Sequence, residues 1–296
     1  MSKIAFCAIL GAVLLATEAS AAPIPQPVEA LIRAAGPDRI DAVAAVAKTT
    51  NPNSVAEIDA LVSSLKAEAA ARRREALASQ GFFEGWGGEG QFGGFVTSGN
   101  TKDNGFNIGI VLNKDGLTWR HHINALADFQ TAGGKRTREA YRLGYEADYA
   151  ISQRWYAYGL LQWERDKFAL LDRRFTEAVG VGYIVLNEAP FSLTVDGGPA
   201  FRQTRYITPA FSKNQVASRI TGKFAWDIRD GLKFTEDLGT LIGSGDSTLY
   251  SRTALTAAIM GNMSARVSFD VNHETSPPAG VKKTDTATRF TVVYSF

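Results

Sequence analysis

The sequence predicts an all-β protein, an antiparallel transmembrane β-barrel of about twelve strands of the outer-membrane type, preceded by a short α-helical segment. Three observations predict this fold. Apolar and polar residues alternate along residues 81–296, the connections between the predicted strands alternate between short and long, and the chain ends in an aromatic residue, Phe296.

The composition is compatible with a barrel and excludes several other classes of protein. Hydrophobic residues make up 45% of the 296 residues and charged residues 21%, which excludes bulk disorder. The longest apolar run, Ile4–Thr17, is shorter than the ~20 residues of a spanning helix, so a polytopic helical membrane protein is excluded. The formal net charge of +2 gives no reason to expect a nucleic-acid partner.

Residues 1–21 have the pattern of a secretory signal peptide. Lys3 provides the positive start, Ile4–Leu15 is the apolar stretch, and Ala19-Ser20-Ala21 fits the small-x-small cleavage rule, so we expect cleavage after Ala21. The single cysteine, Cys7, lies within this segment, and we therefore expect the mature chain to have neither a disulfide nor a thiolate metal site. With the barrel pattern, the signal predicts the outer membrane of a Gram-negative bacterium.

Residues 22–80 are predicted to form helices in the periplasm. Pro27 fits a first helical turn, Asp38 is placed to cap a second helix, and Ser54 with Glu57 forms a capping-box pattern before a third helix that runs to about Ser79. Two interpretations stay open for this segment, a small helical spacer and a docking element for a periplasmic partner. The run Arg72-Arg73-Arg74 is interpreted as a solvated face or as a contact with anionic lipid head groups.

From Gly81 the hydrophobic period changes from that of a helix to that of a strand. In Glu139–Ile151 the odd positions are mostly apolar or aromatic, whereas the even positions include Arg142, Glu146 and Asp148. The same alternation continues to Phe296. A soluble β-sandwich also alternates, but its strands are usually shorter than these, and its exposed face is not the apolar one.

The predicted connections alternate in length, as they do in outer-membrane barrels with short periplasmic turns and longer extracellular loops. The short turns are Asn113–Gly116, Ser152–Arg154, Asn187–Pro190, Arg229–Gly231 and Gly261–Met263, and the longer loops are Gly99–Asn104, Gln130–Thr137, Lys167–Arg173, Gln203–Lys213, Gly243–Ser247 and His273–Lys283. An even number of strands places both ends of the barrel in the periplasm. We expect outer-membrane lipid to surround it.

The last strand ends in Tyr294-Ser295-Phe296. A terminal Phe with an aromatic residue two positions earlier is the pattern that the barrel assembly machinery recognises, by pairing with a free edge strand. We therefore predict that Tyr294 and Phe296 form the assembly signal, and that this machinery is a partner of the chain.

Residues 81–296 resemble the family of outer-membrane proteins described as salt-induced, a domain-of-unknown-function family of outer-membrane β-barrels. The resemblance depends on Trp86–Thr101, an aromatic and glycine-rich strand that ends in a Ser-Gly-Asn-Thr turn, on the strand start Trp155–Tyr158, and on the aromatic terminus. It implies an outer-membrane barrel and no known substrate, and residues 22–80 lie outside it.

The candidate functional residues are charged or polar side chains on the predicted inner face of the strands. They are Arg120, His122, Arg142, Glu146, Asp148, Arg219, Lys223 and Arg266. Two interpretations stay open, a narrow pore or binding barrel for small polar solutes, linked through the family to osmotic or salt stress, and a structural envelope protein whose lumen is closed by salt bridges. Twelve strands fall between the filled and the open sizes of barrel.

An enzyme is not expected. No G-x-S-x-G motif occurs, and of the three histidines only His122 is predicted to share the inner face with charged residues. A barrel-embedded hydrolase is a minor alternative. His121 and His122 point to opposite faces of a strand and cannot share an ion, so we expect no metal site and no cofactor.

Overall fold

The computed structural model describes residues 23–37, 39–98, 103–132, 135–208 and 210–296. The predicted signal peptide, the predicted cap Asp38 and part of the Ser-Gly-Asn-Thr turn lie outside these residues. The chain divides after Ala76 into two compact units.

The first unit contains two helices, one turn of 3₁₀ helix and most of a third helix, which ends three residues after Ala76. The helices are α1 (Gln26–Ala34), α2 (Ile40–Thr50) and α3 (Val55–Ser79), and the 3₁₀ turn is Pro52–Ser54. Ile32 and Ile58 are fully buried and form a small core with Ile40, Ala44 and Val62. Among the described residues, none of the helices combines the length and the apolar composition needed to cross a bilayer.

The capping-box prediction at the start of α3 is wrong in its contacts. Glu57 Oε2 accepts a hydrogen bond from the backbone N–H of Ile24 at 2.9 Å, and Ser54 Oγ lies 3.5 Å from the carbonyl oxygen of Pro23. Both side chains therefore hold the extended segment before α1. The second half of α3 is exposed on all faces from Lys66 to Ala76, and Arg72 forms an exposed i,i+4 pair with Glu68.

The second unit is a closed barrel of twelve antiparallel strands, which confirms the predicted fold class and strand number. The strands are β1 (Trp86–Ser98), β2 (Asp103–Asp115), β3 (Trp119–Ala132), β4 (Lys135–Ala150), β5 (Trp155–Asp166), β6 (Leu171–Glu188), β7 (Phe191–Tyr206), β8 (Ser212–Arg229), β9 (Leu232–Gly243), β10 (Asp246–Met260), β11 (Met263–Glu274) and β12 (Thr284–Ser295). Each strand pairs with its neighbours in sequence, and β12 pairs with β1.

The barrel closes at the last residue of the chain. The backbone N–H of Phe296 donates to the carbonyl oxygen of Gly88, and the N–H of Gly88 donates to the carbonyl oxygen of Phe296, both at 2.9 Å. A Cβ at Gly88 would lie 3.2 Å from Phe296 Cζ and 2.3 Å from the carbonyl oxygen of Val111. Only a glycine therefore fits under the Phe296 ring at this seam.

The two faces of the barrel have opposite chemistry. The outward face exposes large apolar side chains, including Phe92, Ile108, Val179 and Val216, the last at 70% exposure. The inward face buries polar side chains such as Asn107, Thr221 and Thr291. This is the reverse of a soluble protein, and it is the arrangement of a barrel whose outer surface faces hydrocarbon.

The connections at the two ends of the barrel differ less in length than the sequence predicts. At the end where β1 begins and β12 ends, called the terminal end, five connections have two to four residues. At the opposite end, called the loop end, β9 and β10 are separated only by residues 244–245. Strand pairing continues to Gly243 and Asp246, so the predicted loop Gly243–Ser247 is largely strand. The longest loop-end connection is 275–283.

Tyrosine rings cover glycines on the inner wall. Tyr156 and Tyr158 on β5 lie directly opposite Gly182 and Gly180 on β6. A Cβ on Gly182 would lie 2.0 Å from Tyr156 Cζ, and one on Gly180 would lie 2.7 Å from Tyr158 Cε1. The rings therefore occupy the space that a side chain would fill, which is a known way of fixing strand register at glycine positions.

Candidate functional site: the charged lumen

The strand parity places all eight predicted lumen residues on the inward face, in the same alternation as the buried polar residues. At the terminal end, Arg120 Nη2 donates to Asp148 Oδ2 on the adjacent strand at 3.0 Å. His122 Nδ1 lies 2.5 Å from Asn113 Oδ1. The Arg120–Asp148 and His122–Asn113 contacts each join adjacent strands, so neither of them crosses the lumen.

One group of charges crosses the lumen. Lys223 Nζ on β8 donates to Glu146 Oε1 on β4 at 2.7 Å. Arg219 also reaches Glu146, with Nη2 to Oε2 at 3.5 Å, and it donates to Asp196 on β7. Three strands, β5, β6 and β7, separate β4 from β8 on one side of the barrel, and seven strands separate them on the other side. The pair therefore bridges two walls of the barrel.

A second crossing lies towards the loop end. Arg174 Nη1 on β6 donates to Glu274 Oε1 on β11 at 2.7 Å, and both side chains are largely buried. Arg202 Nη1 on β7 donates to Thr248 Oγ1 on β10 at 2.6 Å. The interior of this half of the barrel is thus tied together by side chains from opposite walls.

Further pairs connect β11 and β12 with β1 and β3. Arg289 Nη2 on β12 donates to Asp128 Oδ2 on β3 at 2.9 Å, and Arg266 Nη2 on β11 donates to Glu89 Oε2 on β1 at 2.7 Å. Both pairs skip at least one strand. They lie across the seam where the first and last strands of the barrel meet, so they reinforce its closure.

Sequence reasoning missed several members of these pairs as candidate site residues. Arg174 is the first residue after the predicted loop Lys167–Arg173, and Glu274 lies in the predicted loop His273–Lys283, whereas the structure includes Arg174 in β6 and Glu274 in β11. Asp128, Asp196 and Arg289 share the inward alternation, which gives no information about their partners. The alternation of inward and outward positions identifies such residues in a sequence. No sequence pattern identifies their partners on non-adjacent strands.

Several lumen charges remain accessible to water-sized molecules. The side chains of Arg120, Arg142 and Lys223 are 40%, 40% and 43% exposed, although they point inward. Arg142 Nε donates to Glu164 Oε1 at 3.1 Å in the wall of β4 and β5. The lumen is therefore not completely filled by side chains.

One part of the inner wall is apolar, a feature that the sequence analysis did not predict. Tyr156 and Tyr158 on β5 form a buried cluster with Ala178, Ala200, Ala217 and Leu241 from the next four strands. The Arg120 guanidinium lies 5.0 Å from the Tyr156 ring centroid, and that of Arg219 lies 5.1 Å from the Tyr158 ring centroid. The two arginines thus cover the aromatic wall by cation–π contacts.

The histidines have separate hydrogen-bond partners. His121 Nδ1 lies 2.9 Å from Tyr145 OH on the outward face, and His273 Nδ1 lies 2.8 Å from Thr284 Oγ1. The hydrogen-bond partner of His122 Nδ1 is the Asn113 amide, which is not a nucleophile. Within the part of the chain that the structure describes, no three His, Cys, Asp or Glu side chains come together so as to hold a metal ion.

Aromatic side chains form a belt at the terminal end. Trp119 contacts both Tyr149 and His121 on the outward face, and Phe82 in the segment before β1 contacts both His121 and Trp86. Lys114 Nζ holds this segment by donating to the carbonyl oxygens of Gly81, Phe82 and Glu84, the last two at 3.0 and 2.8 Å. The belt has the position of an interfacial aromatic girdle.

Comparison with known proteins gives a family and a fold. The model of a family described as "Protein of unknown function, DUF481" matches residues 90–296. The uncharacterized protein YdiY of Escherichia coli (strain K12) is 27% identical over 204 residues, which is 69% of this chain and 80% of YdiY. The family description mentions no response to salt, so only the domain of unknown function is supported by the match.

Solved barrels resemble the chain in shape. The NanC porin matches at a TM-score of 0.50 with 8% identity, over 71% of this chain and all of the porin. An outer membrane channel of Pseudomonas putida F1, COG4313, matches at a TM-score of 0.47 with 10% identity, over 72% of this chain and 96% of that channel. At such identities the likeness to NanC shows the fold alone.

Proposed function

The chain belongs to the DUF481 family of proteins of unknown function, and on that premise we propose that it is an outer-membrane barrel of a Gram-negative bacterium whose lumen passes or binds small polar solutes. The apolar outward face supports a place in a lipid bilayer. The polar lumen supports a hydrophilic solute, because charged walls replace part of the hydration of such a solute and select it by charge.

The accessibility of the lumen charges is the observation that carries this proposal. Arg120, Arg142 and Lys223 point into the barrel, yet each side chain keeps about two fifths of its surface accessible. A barrel filled by side chains would bury such residues. The bridge of Lys223 and Glu146 then forms a charged level that a solute in this passage would meet.

A closed structural barrel is the second candidate, and the buried crossing of Arg174 and Glu274 favours it. Only 7% of the Arg174 side chain and 15% of that of Glu274 are exposed, and the pair ties β6 to β11. In this candidate the ion pairs hold the walls together, and residues 22–80 contact a periplasmic partner.

The remaining parts of the proposal concern salt stress, lipid contact and assembly of the barrel. A link to osmotic or salt stress follows from the resemblance of the sequence to the salt-induced family, and it is tested by comparing growth of a deletion strain at low and high salt. The aromatic belt supports contact with outer-membrane lipid head groups. The terminal Phe296 supports recognition by the barrel assembly machinery.

Conductance in a planar bilayer tests the choice between the two candidates. We expect the purified mature protein to give single-channel steps, and replacement of Arg142 by Ala to change their size. The matched control is Arg173→Ala, which removes an exposed arginine from the outward face of β6. A silent bilayer with folded protein would contradict the passage and favour the structural barrel.

A further inference from the structure

We propose that a cavity at the loop end of the barrel binds the oxyanion group of a soluble solute, a carboxylate, phosphate or sulfate. This inference rests on the proposed function and specifies the solute that the lumen takes. The cavity has a volume of about 140 Å³ and lies between the wall of β3–β6, the ends of β11 and β12, and the connection 275–283. A water molecule needs ~10–15 Å³ on this measure, so the cavity has room for a small anion.

Basic side chains outnumber acidic ones around this cavity. Among the described residues that line it, seven are Arg or Lys and five are Asp or Glu. The excess of positive charge is local, because the chain as a whole has a formal net charge of only +2. A small anion entering the loop end therefore meets a favourable field at this position.

A stronger observation is that several buried guanidinium nitrogens have no hydrogen-bond acceptor among the described residues. Three arginines on inward positions line the cavity with a buried Nε that lacks a hydrogen-bond partner among the described residues, and these are Arg138, Arg174 and Arg289. Arg165 also borders the cavity, but it pairs with Tyr141 in the outward register of β4 and β5. Leaving such a buried donor unpaired is unfavourable, so each one indicates a site for an acceptor.

The ion pairs of these arginines use other nitrogens. Arg174 reaches Glu274 through Nη1, and Arg289 reaches Asp128 through Nη2. The Nε of each side chain is thus left over after its carboxylate partner has been bound. Because a guanidinium is a planar fork that binds two oxygens of one carboxylate or phosphate, an oxyanion is the acceptor that matches these donors.

A cation fits the same cavity poorly. Its carboxylates are engaged by arginines, as Glu164 is by Arg142 and Arg174 and Glu274 is by Arg174. Of the lining carboxylates in the described residues, Asp128 alone has a buried oxygen without a hydrogen-bond partner, Oδ1. One free carboxylate oxygen against three free inward Nε donors favours an anionic ligand.

Titration calorimetry with inorganic phosphate tests the site on the folded mature protein in detergent without lipopolysaccharide. We expect saturable binding that weakens at least tenfold in Arg138→Gln. Arg138 lies 3.5 Å from Asp128 and 3.9 Å from Asp166, and Asp128 keeps its closer contact with Arg289 in this variant. Arg138→Lys, which keeps the positive charge but lacks the Nε donor, is the second variant and should weaken binding in the same direction. The matched control, Arg173→Gln, removes an exposed arginine of β6 outside the cavity and should bind as the parent does.

Several results would overturn the inference. Absence of saturable binding to the folded parent would do so, as would equal weakening in Arg173→Gln, which would indicate a diffuse charge effect. Binding that appears only after lipopolysaccharide is added would assign the site to a lipid phosphate instead of a soluble solute. Because calorimetry needs no conduction, phosphate binding with a silent bilayer would contradict the passage and leave the anion site standing.

Discussion

Lys223 on β8 and Glu146 on β4 meet across the lumen, with Nζ 2.7 Å from Oε1, although β5, β6 and β7 lie between their strands. Arg219 and Asp196 extend this contact into a group of two basic and two acidic side chains with no net charge. The group is therefore both a brace between opposite walls and the charged level that a solute would have to pass.

The brace predicts a stability difference between two carboxylate replacements. Glu146→Ala removes an acceptor from Lys223 and Arg219, and we expect it to lower the free energy of unfolding by about 1–3 kcal/mol. The control is Asp227→Ala, which breaks an exposed pair with Lys233 and should cost less than about 1 kcal/mol. Urea unfolding followed by tryptophan fluorescence measures both, and equal costs would contradict a bracing role.

The tyrosine–glycine pairs predict a strong effect of a single methyl group. In Gly182→Ala the new Cβ would lie 2.0 Å from Tyr156 Cζ, so the ring must move, and we expect a loss of about 1–3 kcal/mol. Gly159→Ala is the matched control, because nothing lies within 4 Å of a Cβ there. The denaturant midpoints of the two variants check this, and a Gly182→Ala midpoint equal to that of the parent would contradict the packing.

The closing seam predicts a role for the last residue. Deleting Phe296 removes both hydrogen bonds with Gly88, and replacing Tyr294 and Phe296 by Ser removes the two aromatic rings of the predicted assembly signal. We expect either change to lower the amount of protein in the outer-membrane fraction and to increase its degradation. Phe290→Ser, on the same outward face of β12, is the control for a general loss of apolar surface. Outer-membrane levels like those of the parent would argue against the signal.

Lys114 acts as a clamp on residues 81–85, and we predict that this segment becomes sensitive to protease when the lysine is replaced. Lys114→Met leaves the carbonyl oxygens of Gly81, Phe82 and Glu84 without their shared donor, so residues 81–85 should open more often. Limited proteolysis should then cut this segment faster, with Lys233→Met as the control on an exposed lysine. Equal cleavage rates in the two variants would show that the clamp does not hold the segment.

The sequence predicted the strands well because the residues of every barrel strand alternate between positions that face outward and positions that face the lumen. Hydrophobic alternation identified β5 at Trp155–Asp166 and β9 at Leu232–Gly243 almost to the residue. It failed where strands continue beyond the apolar band. There both faces carry polar side chains, as at residues 172–174 of β6, and backbone pairing extends the strand.

The lumen was predicted only as a set of inward charges. Parity placed Arg142, Glu146 and Lys223 on the inner wall, but it contains no information on which strands face each other. The crossing of Arg174 and Glu274 joins residues 100 positions apart, and the aromatic wall of Tyr156 and Tyr158 depends on glycines of the neighbouring strand. Such contacts follow from barrel closure, which a linear pattern does not encode.

Charge selectivity of the lumen tests the central claim most directly. In a planar bilayer under a KCl gradient, Lys223→Ala leaves the crossing group with one net negative charge and should shift the reversal potential towards cation selectivity. Glu146→Gln leaves one net positive charge and should shift it towards anion selectivity, whereas Lys233→Ala, at the exposed pair, should shift it less. Opposite shifts in the first two variants are the result that we expect. A silent bilayer with folded protein, or shifts in the same direction, would contradict a solute passage through the lumen.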